Sequence, residues 1–365
     1  MNNSDEELIA SRVLHVMRRL LHLGAAILFT VHRLLFTAFI LFTFHFSLFT
    51  TLALAAEPPE LLPILHPDTA NLEPAAAQII VAAQDTFAWQ QEELDGPMLG
   101  NAYGRLGMVY QAWQFQELAR ATYWNARRLD PDDYRWPYYL AVYYEEAGEF
   151  DSAINHYRKS LKLKSDYANS WLRLAEVSLE AAAVDDAEVA YLEALNLDQE
   201  MAAAIAGLGT VAMRREQYDV AIDRFESALK LQPEASQLHY RLALAYRHTG
   251  DLERARAHLE KRGERIPSQP DPVIELMKAR TKPSSHFSDA ARQAFKKGNY
   301  QRAISGYRLA VDIDPTNVRA YVGAARLYLK IDRPEQARQL LGRALELEPD
   351  NATALELEAE LDNSD

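Results

Sequence analysis

Residues 103–131 read YGRLGMVYQAWQFQELARATYWNARRLDP, and this stretch decides the fold. Its tiny and bulky apolar residues stand where two antiparallel helices could approach closely and fill the gaps between them. The stretch ends in a proline, which lacks an N–H group and stops a helix. We therefore predict a helical hairpin. The pattern is carried by Tyr103, Leu106, Gly107, Tyr110, Ala119, Tyr123, Ala126 and Pro131.

The same pattern recurs along the chain, mostly with a period of 34 residues. An alanine occupies one position in every unit: Ala119, Ala153, Ala187, Ala221, Ala255, Ala303 and Ala337. A tiny residue stands earlier in each unit: Gly107, Ala141, Ala175, Gly209, Ala243, Ala291 and Ala325. A bulky residue follows each alanine: Tyr123, Tyr157, Tyr191, Phe225, Leu259, Tyr307 and Leu341. Such a fixed period predicts a stack of similar helical hairpins.

This pattern resembles the tetratricopeptide repeat family, and in particular its exported bacterial members. The resemblance covers five continuous units over 100–267 and two more over 284–351. It implies an all-α fold, a right-handed solenoid of about seven helix-turn-helix repeats with capping helices. It also implies that the partners are other proteins, bound as an extended peptide or a helical segment.

The segments outside the repeats are predicted to cap or join them. Residues 57–99 are expected to form a proline-rich linker and a capping helix over 73–93, and residues 352–365 a capping helix and tail. Residues 268–283 form an insertion that we predict to be a joint or a bulge on the solenoid, with a short helix over 273–280 whose apolar residues favour burial over a free linker. Repeat 5 is expected to end early at a C-cap glycine, Gly263.

The first 56 residues predict export. An apolar run over 34–56 follows four arginines and ends in small residues, as a secretory signal peptide does. The run of about 23 residues is also long enough to span a bilayer, so an uncleaved anchor is the alternative. Either form places the remaining chain outside the cytoplasm, and we expect a periplasmic protein that is soluble after cleavage of the signal or anchored to the inner membrane.

The composition and motifs exclude several kinds of function. The net charge of −13 argues against nucleic acid as a partner. Cysteine is absent, and no histidine–carboxylate spacing predicts a metal site. No phosphate-binding loop or nucleophile motif is present. We therefore expect no catalytic residues, no metal, no cofactor and no enzymatic activity.

The family resemblance also implies which side chains line the concave face. In the family, positions 2, 5, 9, 12 and 13 of each unit point into it. In repeats 2 and 3 they include Arg135, Tyr138, Glu145, Glu146, Asn169, Glu176 and Glu180. In repeats 4 to 7 they include Arg214, Tyr240, Arg247, His248, Arg292, Lys296, Arg319, Arg326 and Lys330. The predicted groove is acidic early and basic late; the alternative is that these residues are solvated helix faces.

The leading functional hypothesis is an exported scaffold or adaptor, in a narrower form an assembly chaperone of the cell envelope. The Lys and Asn pair with which some relatives clamp a carboxyl terminus is absent, which leaves chaperone-tail recognition unsupported. The other hypotheses are a non-catalytic subunit of an envelope enzyme complex and a self-assembling structural protein.

Overall fold

The computed structural model describes residues 60–362, which form seventeen helices and no strand. The predicted signal peptide or anchor over 1–56 and the last residues of the tail lie outside this range. No helix within 60–362 is long and apolar enough to cross a membrane. The first helix, α1, spans Pro74–Glu93 and is followed by the repeats.

Seven helical hairpins form the body of the molecule. They are α2 (Gly96–Ala112) with α3 (Gln116–Leu129), α4 (Arg135–Glu146) with α5 (Phe150–Leu163), α6 (Ala168–Glu180) with α7 (Val184–Leu197), α8 (Ala202–Arg214) with α9 (Tyr218–Leu231), α10 (Gln237–Thr249) with α11 (Leu252–Glu260), α13 (Ser284–Lys296) with α14 (Tyr300–Ile313), and α15 (Val318–Lys330) with α16 (Pro334–Leu347). The short helix α12 (Pro272–Ala279) lies between the fifth and sixth hairpins, and α17 (Ala352–Asp362) follows the seventh.

The alternation of tiny and bulky residues explains why the helices of a hairpin pack so closely. A Cβ atom added to Gly107 would lie 2.7 Å from the ring of Tyr123, closer than real carbon atoms approach. The Tyr123 side chain is fully buried, as are Ala119 and Ala126 on the same helix. The aromatic ring therefore fills the space that the missing side chain leaves, and Gly209 makes the same close contact with the ring of Phe225 in repeat 4.

Each hairpin turns through one residue in the left-handed backbone region. Glycine occupies that position in three units, where φ is +74° at Gly148, +87° at Gly250 and +76° at Gly298. In the other four units the same position holds Gln114, Ala182, Glu216 and Asp332, with φ between 57° and 64°. Glycine adopts this conformation without steric cost, so three of the turns are less strained than the rest.

The fifth hairpin ends early, but not for the predicted reason. Helix α11 stops at Glu260, and Leu259, the bulky residue of this unit, is 36% exposed. Gly263 is not in the left-handed region, so the predicted C-cap was wrong. Its N–H group donates to the Ser236 carbonyl at 3.2 Å, and a Cβ at Gly263 would lie 2.2 Å from the Ser236 hydroxyl. Close approach of two backbones, rather than a turn, requires glycine here.

The proline-rich segment before α1 contacts the first hairpin. The Leu62 N–H group donates to Oδ1 of Asn125 at 2.7 Å, and the Asn125 amide returns a hydrogen bond to the Leu62 carbonyl at 2.8 Å. Asn125 is fully buried, so this two-way contact satisfies a polar side chain that would otherwise lack partners.

Buried side chains form four separate apolar clusters along the stack. The largest joins α1, repeats 1 to 3, the start of repeat 4 and the insertion helix α12, through Val273, Ile274 and Met277. A second covers repeats 4 and 5, a third repeat 6 with α15, and a fourth repeat 7 with α17. The apolar face of the insertion helix is therefore part of the first core.

Candidate functional site

The first helix of each hairpin carries the side chains predicted to line the concave face, and the structure divides them into three groups. One group lies against the insertion, on the inner face of α4 and α6, which we name the early groove. A second lines a cavity of about 1420 Å³ bounded by α1, α13 and α15, which we name the late cavity. The remaining residues lie in neither.

The early groove is filled by residues 268–280 of the same chain. Tyr138, predicted to line an open groove, is fully buried, and its hydroxyl donates to the Asp271 carboxylate at 2.5 Å. The Tyr167 hydroxyl donates to the other oxygen of Asp271 at 2.7 Å. Tyr138 is therefore closed to an incoming ligand while the insertion occupies this face. Burial raises the pKa of Tyr138 well above its usual value, and the carboxylate of Asp271 raises it further.

Glu145 and Glu176 lie beside this contact and share one cation. Arg173 Nη1 lies 3.0 Å from Glu145 and 3.7 Å from Glu176, and the Tyr157 hydroxyl donates to Glu145 at 2.6 Å. Burial raises the pKa of Glu176 to about 7; Arg173 opposes the shift, and the carboxylates of Glu145 and Asp271 add to it. Glu176 is thus the carboxyl of the early groove whose pKa is raised by burial, although 41% of its side chain is exposed.

The other acidic residues predicted for this face are exposed. Glu146 accepts hydrogen bonds from Gln111 at 3.3 Å and from Gln116 at 3.1 Å, both in repeat 1. Glu180 lies at the exposed end of α6. Arg135 and Asn169 were also predicted to line the concave face of repeats 2 and 3. Arg135 pairs with Asp133, and Asn169 donates to the Pro270 carbonyl at 3.0 Å. Asn169 therefore belongs with Tyr138 in the contact to the insertion.

The predicted residues of repeats 4 and 5 line neither the early groove nor the late cavity. Arg214, Arg247 and His248 are exposed near the hairpin turns, and Tyr240 is 47% exposed on α10. The His248 ring stacks on Tyr218 of the preceding unit, with ring centres 4.3 Å apart.

The late cavity brings together four of the predicted cations. Arg292 and Lys296 lie on α13, and Arg319 and Arg326 lie on the next first helix, α15; all four line the cavity, whereas Lys330 does not. Burial raises the pKa of Tyr307, and Arg292 and Arg326 oppose that shift, as expected for guanidinium groups that face one hydroxyl. Their assignment to a peptide-binding groove stays a prediction.

Charge in the late cavity is only partly neutralised by the protein itself. Arg292 pairs with Asp289 at 2.9 Å, and both side chains are about half exposed. Among residues 60–362, Lys296, Arg319 and Arg326 form no ion pair. Asp85, Asp314 and Glu348 also line the cavity; the Thr316 hydroxyl and N–H groups donate to Asp314, and the Asn351 amide donates to Glu348.

Sequence reasoning missed Arg280, the most buried charge that the structure describes. It is 1% exposed, and its guanidinium donates to the Asp312 carbonyl at 2.7 Å and to the Asp312 carboxylate at 2.5 Å. Burial lowers the pKa of Arg280, and Asp312 opposes that shift. This ion pair attaches the end of the insertion to repeat 6. In the sequence, only the apolar residues that follow Pro270-Asp271-Pro272 indicated that the insertion would be buried.

Residues 60–362 contain no group of three or more histidine and carboxylate side chains that could hold a metal ion. Arginine stays protonated at neutral pH, so the arginine side chains that line the late cavity can pair with anionic groups. The arrangement suits recognition of carboxylates.

Two curated proteins are similar to the chain over part of their length. It is 26% identical over 212 residues to the Hsp70-Hsp90 organizing protein of Triticum aestivum, covering 55% of this chain and 33% of the relative. It is 23% identical over 285 residues to the DnaJ homolog subfamily C member 7 homolog of Schizosaccharomyces pombe, covering 72% of this chain and 58% of the relative. The chain thus spans less than two thirds of the length of either relative.

A similar solved structure is a tetratricopeptide repeat protein from Parabacteroides merdae, which is 16% identical, with a TM-score of 0.44, over 78% of this chain and 98% of that one. Two family profiles, each described as tetratricopeptide repeat, match most of the region that folds into hairpins. One matches residues 294–361, and the other matches 117–168, 140–202 and 207–268. With its all-α solenoid, the chain belongs to the tetratricopeptide repeat family of protein-interaction scaffolds.

Proposed function

We propose that this protein is an exported, non-catalytic scaffold that binds an acidic, extended segment of another protein in the late cavity. The observation that carries the proposal is the convergence of Arg292, Lys296, Arg319 and Arg326 on one cavity. Two neighbouring first helices supply them, so their spacing follows from the repeat itself. An adaptor or assembly chaperone of the cell envelope is the role that this site suits.

The unpaired cations favour a carboxylate-rich ligand. Arginine pairs with carboxylates bidentately, and Arg319 and Arg326 form no ion pair within residues 60–362 that a ligand would have to break. The Arg292–Asp289 pair is exposed, and such pairs contribute little, so Arg292 can change partner at small cost. An incoming acidic segment would also be steered toward the cavity by its charge.

The volume of the late cavity favours a peptide over a small molecule. Pockets for small ligands measure roughly 300–1,000 Å³, and this cavity exceeds that range at about 1420 Å³. Its walls come from α1 on one side and from α13 and α15 on the other, so an extended segment could contact helices that are distant in sequence. The two similar proteins are named as an Hsp70-Hsp90 organizing protein and a DnaJ homolog, which supports a role among protein-handling factors.

Export is the second part of the proposal, and it rests on the apolar run over 34–56 with its preceding arginines. A cleaved signal peptide and an uncleaved anchor both place the repeats outside the cytoplasm.

Binding of a fluorescent glutamate-rich peptide tests the proposed site. The triple variant Arg292→Glu, Arg319→Glu, Arg326→Glu should bind it more than about tenfold more weakly than the unaltered protein, because attraction becomes repulsion. Binding to the unaltered protein should also weaken as salt rises. The matched control is Arg302→Glu, Arg308→Glu, Arg333→Glu, which makes the same charge change at exposed arginines outside the cavity.

The control variant should keep most of the affinity, and both variants should keep the far-UV circular dichroism of the unaltered protein. Equal loss in the two triple variants would mean that net charge, not the late cavity, attracts the peptide. Unchanged binding in the cavity variant would remove the site altogether.

A further inference from the structure

The insertion lies on the early groove as a bound peptide would. Its residues 268–270 are non-helical, Asp271 is extended, and side chains of the groove donate to its backbone carbonyls. The Asn169 amide donates to the Pro270 carbonyl at 3.0 Å, and the Tyr139 hydroxyl donates to the Val273 carbonyl at 2.8 Å. Side-chain contacts to main-chain carbonyls are the means by which a groove binds an extended segment in one register.

Asp271 is the side chain that the groove recognises most specifically. Its two carboxylate oxygens accept separate hydrogen bonds, from Tyr138 on α4 and from Tyr167 at the start of α6. The same carboxylate caps α12 by accepting from the N–H groups of Val273 and Ile274 at 3.0 and 3.3 Å. Hydrogen bonds to a charged group are stronger than neutral ones, so this residue dominates the polar contact.

The helical turn that follows supplies the apolar contact. Val273, Ile274 and Met277 are between 5% and 7% exposed and join the core of repeats 1 to 3. Helix α12 has 8 residues, which is too short for stability in isolation, so its helical form depends on the groove. Non-helical residues connect it to α11 on one side and to α13 on the other.

We propose that the early groove is a recognition site for an extended segment in which an aspartate between prolines leads into an apolar helical turn. Residues 268–280 occupy this site within the same chain, and a partner that carries the same chemistry competes with them. The donors of this site, Tyr138, Tyr167 and Asn169, do not line the late cavity, although Arg280 at the end of the insertion does. Its ligand is apolar with a single carboxylate, unlike the acidic segment assigned to the late cavity.

A peptide that copies residues 266–282, labelled with a fluorophore, tests the proposal on the full-length chain. The intramolecular segment is present at an effective concentration of the order of millimolar, so the unaltered protein should bind the peptide weakly. The variant Asp271→Ala weakens the internal segment but leaves the groove intact. It should bind the peptide about tenfold or more tightly than the unaltered protein does, as expected when hydrogen bonds to a carboxylate are lost from the competitor.

Two controls locate the gain in the groove. A peptide with alanine in place of its aspartate should bind Asp271→Ala no more tightly than the original peptide binds the unaltered protein. Adding Tyr138→Phe and Tyr167→Phe to Asp271→Ala should abolish the gain, because the aspartate of the peptide loses its donors. If Asp271→Ala keeps its helicity and binds the peptide no better than the unaltered protein, the groove is not a peptide site and the proposal is wrong.

Hydrogen exchange of the unaltered protein tests, without any substitution, whether the insertion can leave the early groove. The amides of α12 should exchange through a local opening that leaves α4 and α6 protected. Exchange of α12 only together with α4 and α6, in one cooperative step, would overturn the proposal, because the insertion would then be a fixed part of the core. This experiment uses neither the arginine variants nor the glutamate-rich peptide, so failure here is distinguishable from failure of the late cavity.

Discussion

At the scale of single residues, Glu176 shows how the insertion alters the chemistry of the early groove. Its carboxyl lies near Glu145 and Asp271, and Arg173 is the cation that offsets them. Asp271 arrives from a distant part of the chain, so the environment of Glu176 depends on occupancy by residues 268–280. Burial dominates the shift, and the pKa rises from 4.5 to about 7.

The pH dependence of stability follows from this shift. The folded carboxyl binds its proton more tightly than the unfolded one, so its ionisation costs stability as pH rises through the window from 4.5 to about 7. Replacing Glu176 with Gln removes that cost. The melting temperature of Glu176→Gln should therefore exceed that of the unaltered protein above neutral pH and approach it toward about pH 5.

Glu180→Gln, an exposed carboxylate on the same helix, is the matched control and should follow the unaltered protein at every pH. Thermal unfolding followed by circular dichroism from about pH 5 to about pH 8 measures both variants. A difference for Glu176→Gln that stays constant across the range would show that folding does not raise the pKa of Glu176. Because part of its side chain is exposed, solvent screening will reduce the size of the effect.

The sequence predicted the cations of the late cavity but not the contacts of the insertion. The family positions identified Arg292, Lys296, Arg319 and Arg326 because neighbouring first helices repeat the same geometry every 34 residues. Asp271 and Arg280 lie in the insertion, outside the repeats, so the repeat positions do not identify them. Tyr138 and Asp271 are 133 residues apart, and no local pattern indicates that they meet. The 34-residue period predicts contacts between neighbouring repeats, but it cannot predict where a segment outside the repeats will pack.

At the scale of elements, the hairpins could be predicted because their packing is local. Tiny residues on one helix face aromatic rings on the next, and the sequence displays both at fixed spacing. The helix over Pro272–Ala279 was predicted to within one residue at each end, since a proline at its start and apolar spacing are local signals. Its location was not, because the face that covers Val273 and Ile274 is built by α2, α4 and α6.

Overpacking a hairpin tests the element-scale account. Ala221 is fully buried on α9, so Ala221→Leu should lower the free energy of unfolding by about 1–3 kcal/mol. The adjacent Val220 is 47% exposed, and Val220→Leu should change that free energy by less than about 0.5 kcal/mol. Urea unfolding followed by circular dichroism measures both. Equal effects of the two substitutions would show that the recurring alanine position, occupied here by Ala221, is not a close helix–helix contact.

At the scale of the whole molecule, the stack is not a simple series in which each unit contacts only its neighbours. The insertion joins repeats 1 to 3, Arg280 links it to repeat 6, and α1 lines a cavity with α13 and α15. The damage from Ala221→Leu should therefore stay in the cluster of repeats 4 and 5, whereas the larger first cluster retains protection from hydrogen exchange.

Export belongs to the whole molecule because it decides where the repeats operate. Residues 1–60 fused to a reporter that is active only outside the cytoplasm should produce activity. If the signal is cleaved, the mature protein should begin near Glu57; if it is an anchor, the fusion should be active and uncleaved. An inactive reporter would contradict export in both forms.

The most direct test of the central claim is hydrogen exchange of the full-length protein with and without the glutamate-rich peptide. Binding in the late cavity should slow exchange in α13, α15 and α1, which are distant in sequence but line the same cavity. The Arg292→Glu, Arg319→Glu, Arg326→Glu variant should show no such protection. Protection confined to α4 and α6, or spread over the convex helices, would contradict the assignment of the late cavity as the binding site.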